Sequence, residues 1–358
     1  MQPQLIRRLN RGQPSFVFPE SGPLWTTQSQ TRDGVAHDVG AARRVRSIRL
    51  IPIAAVVALL LTFTFGTAGA SPVGPACDQQ LGKNIPARAD GALTGTGFAE
   101  RARDLAGPQR DALVSNELLA GNVPSFLRHL EAVTVRDSVN VITVCVLPDY
   151  LALGTDRDFV FVPLGLDAAL EVAERFGFML PTRKIVNAIY AASTVKLDPQ
   201  PLPAGDQMRS TAYLFRHNEM VRAQRDARGA QLGALTAGNK KDLVLTPRLW
   251  QNPGRVAIYG WHRAAGAPIQ PLSTVHGASY ADYSHGIRLV SEIVYVNGVQ
   301  RALADVLADP RLAGLLSDEG PLPRLADRLA SLLGKPGTEA SASTVAWLPR
   351  QAGALAAH

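Results

Sequence analysis

The chain has 358 residues, 46% hydrophobic and 19% charged, which is globular composition and excludes a wholly disordered or fibrous protein. The formal charge of +7 misleads, because residues 1–70 hold eight of the 37 Lys and Arg but only three of the 30 Asp and Glu. The remainder carries 29 basic and 27 acidic groups, near +2, with no Lys/Arg cluster interleaved with aromatics, so nucleic acid is not an expected partner.

Residues 1–42 are polar, lack hydrophobic periodicity and read as a disordered tail or a start-site artefact. Arg43, Arg44, Arg46 and Arg49 then form a basic region, residues 50–65 an uncharged apolar run, and Thr67-Ala68-Gly69-Ala70 a small-residue cleavage site before Ser71. Residues 43–70 are therefore expected to be a signal peptide, placing the protein in the periplasm or outside the cell. The alternative is an uncleaved anchor, because no charge falls between Leu50 and Asp78. Membrane contact is expected only through this segment. In an exported chain the two cysteines, Cys77 and Cys145, suggest a disulfide.

Residues 71–97 read as a loop rich in Gly, Pro, Ala and Thr. Spacing predicts a helix over 98–119 and a short one over 124–130. Residues 139–147, VNVITVCVL, and 159–162 predict strands, joined by the connection DYLALGTDRD. Helices follow over 165–176 and 182–192, the second capped by Thr182. Arg183 and Lys184 would sit in its first turn, the wrong end for cations, which marks either an anion site or two solvated side chains. The proline-rich run 196–210 reads as a linker or crossover. Beyond it come a strand over 211–215, a charged helix over 219–227, and strands over 243–245, 255–261 and 287–296. Asn297-Gly298 is a hairpin signal. Residues 301–316 are helical with a break at Pro310, and 322–333 form a helix stopped by Gly334. The tail 337–358 reads as loose. The mixture predicts an α/β or α+β class, a mixed sheet flanked by helices in one main domain over residues 98–336.

Chemistry concentrates in residues 255–290. His262, His276 and His285, three of the seven histidines, lie there with Asp282, Ser284, Arg288, Tyr259, Trp261, Tyr280 and Tyr283. Imidazoles and a carboxylate are zinc-ligand types, but the spacing is loose and no H-E-x-x-H is present. Murein peptidases of the D,D-carboxypeptidase type are similar in their ingredients, a His and an Asp followed by Trp-His. Here Trp261-His262 precedes His276 and Asp282. Ser284 as a nucleophile lacks a G-x-S-x-G elbow. General acid/base chemistry asks least: a histidine with a shifted pKa, an orienting Asp282, and Arg288, Lys240 or Lys241 as the cation. We expect His276, Asp282 and His285 to converge with His262 or Lys241, with Tyr259 and Tyr283 contacting substrate. Strand alternation would put His285 on one face and Ser284, Gly286 and Arg288 on the other.

The stretch VHGASYADYSHGIRLV resembles the L,D-transpeptidase signature, in which an H-G element precedes S-H-G-C-I-R. His276-Gly277 matches the first element and Ser284-His285-Gly286 with Ile287-Arg288 the second. Gly286 is followed directly by Ile287, so the nucleophilic cysteine is missing. That resemblance implies a cell-wall peptide ligand without an acyl-enzyme. More widely, the runs FVFVPLG, LPTRKIVNAIY, AGNKKDLVLTP, YGWH and YADYSHGIRLV resemble an uncharacterised family of secreted bacterial and fungal proteins, which implies export and one continuous domain over about residues 110–320. Two expectations follow. One is an exported hydrolase acting on an envelope or extracellular peptide or glycan. The other is a non-catalytic polymer-binding protein with an open groove of Tyr259, Trp261, Tyr280 and Tyr283.

Overall fold

The computed structural model describes Cys77, residues 84–264 and residues 266–334, all within the compact unit Ala68–His358. The expected tails at 1–42 and 337–358 and the signal peptide or anchor at 43–70 lie outside the described residues. Among the described residues no helix is long and apolar enough to cross a membrane.

The chain opens with α1 (Gly95–Arg101), capped by Thr94, and α2 (Gly107–Leu119). The single helix expected over 98–119 is broken, because Gly107 takes a left-handed φ of 55° and Pro108 starts a new turn. Ser125–Arg128 form one 3-10 turn. A hairpin of β1 (Glu131–Arg136) and β2 (Val141–Val146) follows, then one of β3 (Ala152–Gly154) and β4 (Phe159–Phe161). The expected connection at 149–158 therefore contains a strand. Next come α3 (Leu166–Phe176), β5 (Phe178–Met179), α4 (Arg183–Ala192) and β6 (Val195–Lys196).

The strand expected at 211–215 is instead the start of α5 (Thr211–Ala227). Ser210 caps it by accepting from the Tyr213 N–H, and the helix buries Leu214, His217, Asn218, Val221 and Arg225 at helical spacing. The second half contains β7 (Thr236–Ala237), β8 (Lys241–Leu243), α6 (Arg248–Gln251), β9 (Ile258–His262), β10 (Pro268–Ser273) and β11 (His285–Gly286). It ends with β12 (Val290–Val296), β13 (Val299–Ala302), α7 (Leu303–Ala308), α8 (Ala313–Leu316) and α9 (Leu325–Leu332).

Two sheets organise these elements. The larger runs β1-β2-β12-β13, with β5 also on β12, and every pairing is antiparallel. Asn297 and Gly298, at φ 50° and 84°, make the tight turn between β12 and β13. The smaller runs β10-β9-β8-β11, antiparallel except that β11 lies parallel to β8. Mixed sheets with helices packed on β1, β9 and β12 make this an α+β fold, within the expected class.

The run 196–210 is a crossover rather than a boundary: Tyr283 pins it, its hydroxyl accepting from the Leu202 N–H at 2.6 Å. Arg183 and Lys184 form no anion site either. Arg183 pairs with Asp318 at 2.9 Å and Lys184 donates to the Gly314 carbonyl, so both fasten α4 to the α8 region.

Cys77 and Cys145 are bonded, with Cα atoms 5.5 Å apart, and Cys145 is wholly buried in β2. A bridge that closes 68 residues restricts the unfolded chain. Reducing it should cost about 2–4 kcal/mol of unfolding free energy. Urea melts with and without reductant check this, and coincident midpoints would refute it.

Candidate functional site

The parallel pairing of β8 with β11 sets Lys241 beside His285 and Asp242 beside Gly286. Just before β11 the chain turns on Asp282. Its Oδ1 accepts from the Ser284 N–H at 2.8 Å and the Ser284 hydroxyl at 2.6 Å, and Tyr280 donates to Oδ2 at 3.1 Å. His285 Nε2 lies 3.9 Å from Oδ2, a close electrostatic contact rather than a hydrogen bond. The His276 ring stacks flat on Tyr280 at 4.0 Å, and Tyr280 meets His285 edge-on at 5.6 Å. His276, Asp282, His285 and Lys241 therefore gather around Tyr280.

Burial sets the electrostatics. His285 is enclosed, and desolvation lowers its pKa to about 4, so the ring is neutral at pH 7. Among the described residues neither of its nitrogens has a hydrogen-bond partner. Burial pushes the Asp282 carboxyl up, but His285, Lys241 and the Ser284 hydrogen bonds together hold it down at about 2. Above pH 4 the neutral His285 drops out of that balance, which leaves Lys241 and Ser284 to stabilise the carboxylate. Lys241 is half-buried, its ammonium 5.1 Å over the Trp261 ring. Tyr280 and His276 are half-buried, whereas His285, which Tyr280 meets, is buried.

The other expected site residues are placed elsewhere. His262 sits in a separate pocket of about 500 Å³ with Tyr190 and Lys196. Its Nε2 and the Tyr259 hydroxyl share the Asn187 Oδ1, at 3.1 and 2.9 Å. Lys240 is fully buried and hydrogen-bonds the Tyr283 carbonyl at 2.6 Å and His217 Nδ1 at 3.0 Å, so it braces the interior instead of meeting a ligand. Arg288 is also fully buried, donating to the carbonyls of Leu147 and Thr236. Ser284 directs its hydroxyl at Asp282 rather than at an imidazole, so no Ser–His pair is formed. Both cysteines are bonded, so no thiolate replaces it.

Tyr259, Trp261 and Tyr283 are buried and form no open groove for a polymer. Among the described residues no group of three or more His, Cys, Asp or Glu side chains is placed to hold a metal, so the zinc set does not assemble. Alternation does hold across β11. A Cβ on Gly286 would strike the Tyr150 ring at 2.4 Å, and Arg288 lies over that ring, while His285 faces Tyr280.

Sequence reasoning missed Asp242, Tyr150 and His217. Tyr150 donates to Asp242 Oδ2 at 3.0 Å, beneath Arg288. Burial raises Asp242 to about 7 despite the opposing pull of Arg288 and Tyr150. A carboxyl whose folded pKa exceeds its unfolded value near 3.8 holds its proton better in the native state. Its contribution is therefore present at low pH and lost as pH rises from about 4 to 7. Asp242→Asn should flatten this loss relative to the wild type, by up to about 1 kcal/mol per pH unit. Urea melts from pH 4.5 to 7.5 test this, and parallel stability curves would refute it. The chain matches no family model, no curated protein and no solved structure.

Proposed function

We propose that the protein is an exported hydrolase-like enzyme that acts on a cell-envelope or extracellular peptide or glycan by histidine general acid/base chemistry. One observation carries this reading: His285 is a buried neutral imidazole with both nitrogens unpartnered among the described residues, beside an ionised Asp282. A histidine kept only for packing normally satisfies at least one ring nitrogen. Here the carboxylate is fixed by Ser284 and Tyr280, and the imidazole retains a lone pair and an N–H for another molecule.

In this reading His285 takes a proton from an attacking water and returns it to the leaving group. Asp282 stabilises the transient imidazolium, and Lys241 supplies positive charge for an anionic substrate group. Because His285 is enclosed, substrate reaches it when Tyr280 rotates out of its contact with Asp282. Hydrogen bonds of catalytic groups often tighten only once substrate is bound, which accommodates the 3.9 Å separation at rest. The Cys77–Cys145 disulfide fits an oxidising extracellular or periplasmic compartment.

The test is to incubate purified protein with isolated cell-wall peptidoglycan and follow new amino termini and reducing ends. His285→Gln should abolish release while the folded fraction stays high. The acidic limb of the wild-type pH profile should fall near pH 4 rather than 6.5, because only the neutral ring accepts a proton. Retained activity in His285→Gln, or no product from the wild type, would sink the proposal. Export has its own check: mass spectrometry of the secreted protein should find its first residue at Ser71 or within a few positions. An intact 50–65 segment would show an anchor instead.

A further inference from the structure

A large cleft among the described residues lies outside the histidine cluster but touches its loop. It has a volume of about 920 Å³, between the facing stripes of α2 and α3, and the backbone of Ala278 and Ser279 closes one side. Those two residues directly precede Tyr280. Asp111 and Ser115, four apart on α2, both line the cleft and are only 6% and 8% exposed. Asp111 Oδ2 accepts from the Gly165 N–H at 2.9 Å, while Asp111 Oδ1 and Ser115 Oγ have no hydrogen-bond partner among the described residues. At the rim α3 presents the exposed carboxylates Asp167 and Glu171, with Glu174 and Arg175 beside them.

We infer that this cleft binds the side-chain ammonium of a lysine-like residue in a peptide. The chemistry is specific. An unpartnered carboxylate oxygen and a hydroxyl one helical turn apart call for a cationic donor that can serve both. Burial of those atoms also sets the shape of the ligand. Ala112 and Ala168, which also line the cleft, suit an ammonium on a slim aliphatic stem, whereas an amine fixed on a sugar ring would have to bring the ring with it. The rim carboxylates favour approach of a cationic chain. Burial raises the Asp111 carboxyl, opposed by its hydrogen bond from Gly165 and by Arg110 and Arg209, and an arriving ammonium would return it to the charged form. As the substrate class of the proposed enzyme, a lysine-bearing peptide rests on the hydrolase reading. The binding itself does not.

Calorimetry on the full chain at low salt tests it, using the capped tripeptide Ala-Lys-Ala. Its norleucine counterpart, with the same stem and no charge, should bind about tenfold more weakly or worse. Asp111→Asn, which keeps an acceptor for Gly165, and Ser115→Ala should each weaken the lysine peptide at least about fivefold. The exposed Glu171→Gln should do so about twofold, and less at high salt. The inference fails if lysine and norleucine peptides bind alike, if both α2 variants keep wild-type affinity, or if a glucosamine hexamer binds where the lysine peptide does not. The measurement involves no turnover. Binding by a protein that hydrolyses nothing would support the cleft and remove only the hydrolase reading.

Discussion

A permanently charged guanidinium at the junction of the two sheets constrains everything around it. The segment from His285 to Val290 leaves the smaller sheet through β11 and enters the larger through β12. Arg288 is in that crossing and is fully buried. An isolated buried charge costs several kcal/mol, so its surroundings must compensate. The carbonyls of Leu147 and Thr236 accept from it, and the face of Tyr150 lies 4.3 Å beneath it. Two separate stretches of chain are thereby fixed against the crossing, and with them the direction in which His285 leaves β11. Tyr150 extends the network by donating to Asp242, the residue paired with Gly286. Only glycine fits at 286, since any Cβ would collide with Tyr150 and with the Lys240 side chain.

The interior around this junction limits how much charge it holds, and the site depends on that limit. Burial lowers Lys240 to about 7 and His217 to about 2. A charged Lys240 has only donors, so His217 Nδ1 accepts and the ring proton sits on Nε2. With His217, His262 and His285 all neutral at pH 7, no imidazolium offsets Asp282, and Lys241 faces it. The polar groups thus divide into two sets. Lys240, Arg288 and Tyr283 spend their hydrogen bonds on backbone and, for Lys240, also on His217, and hold the frame. Asp282, Tyr280 and His285 are arranged on that frame with hydrogen-bonding capacity left over.

The sequence exposed the part of this that is local. The β-branched run in β2, the Thr182 cap, the Asn297-Gly298 turn and the breaks at Pro310 and Gly334 follow from single-residue chemistry, and each is present. The clustering of His276, Asp282 and His285 was legible because they lie within ten residues. Long-range pairing was not. His262 looked equivalent to the other histidines by density, but β9 carries it to Asn187, a residue of α4 that sequence order gave no reason to choose. α5 was misread at its start because its buried stripe includes His217, Asn218 and Arg225, polar residues whose partners lie far away in sequence. Asp242 looked like an ordinary charge in a short strand. Its burial depends on Tyr150 and Arg288, which only the fold brings together.

Trp261 shows where the frame and the site meet at a cost. Its φ of 57° places a bulky residue in the left-handed region, where about 1–3 kcal/mol of strain is typical. The neighbouring Gly260, at φ 109°, is where β9 faces Lys241. Regular strand geometry would continue the alternation through 260–262. The departure brings the Trp261 N–H to the Lys240 carbonyl at 3.1 Å and its ring beneath the Lys241 ammonium. A half-buried cation over an indole gains about 0.5–2 kcal/mol, which offsets part of the strain. Lys241 is thus held on the Asp282 side by the face of a ring and not by an ion pair that would occupy its charge. The strained backbone at 261 is therefore best understood as what leaves both Lys241 and Asp282 available at His285.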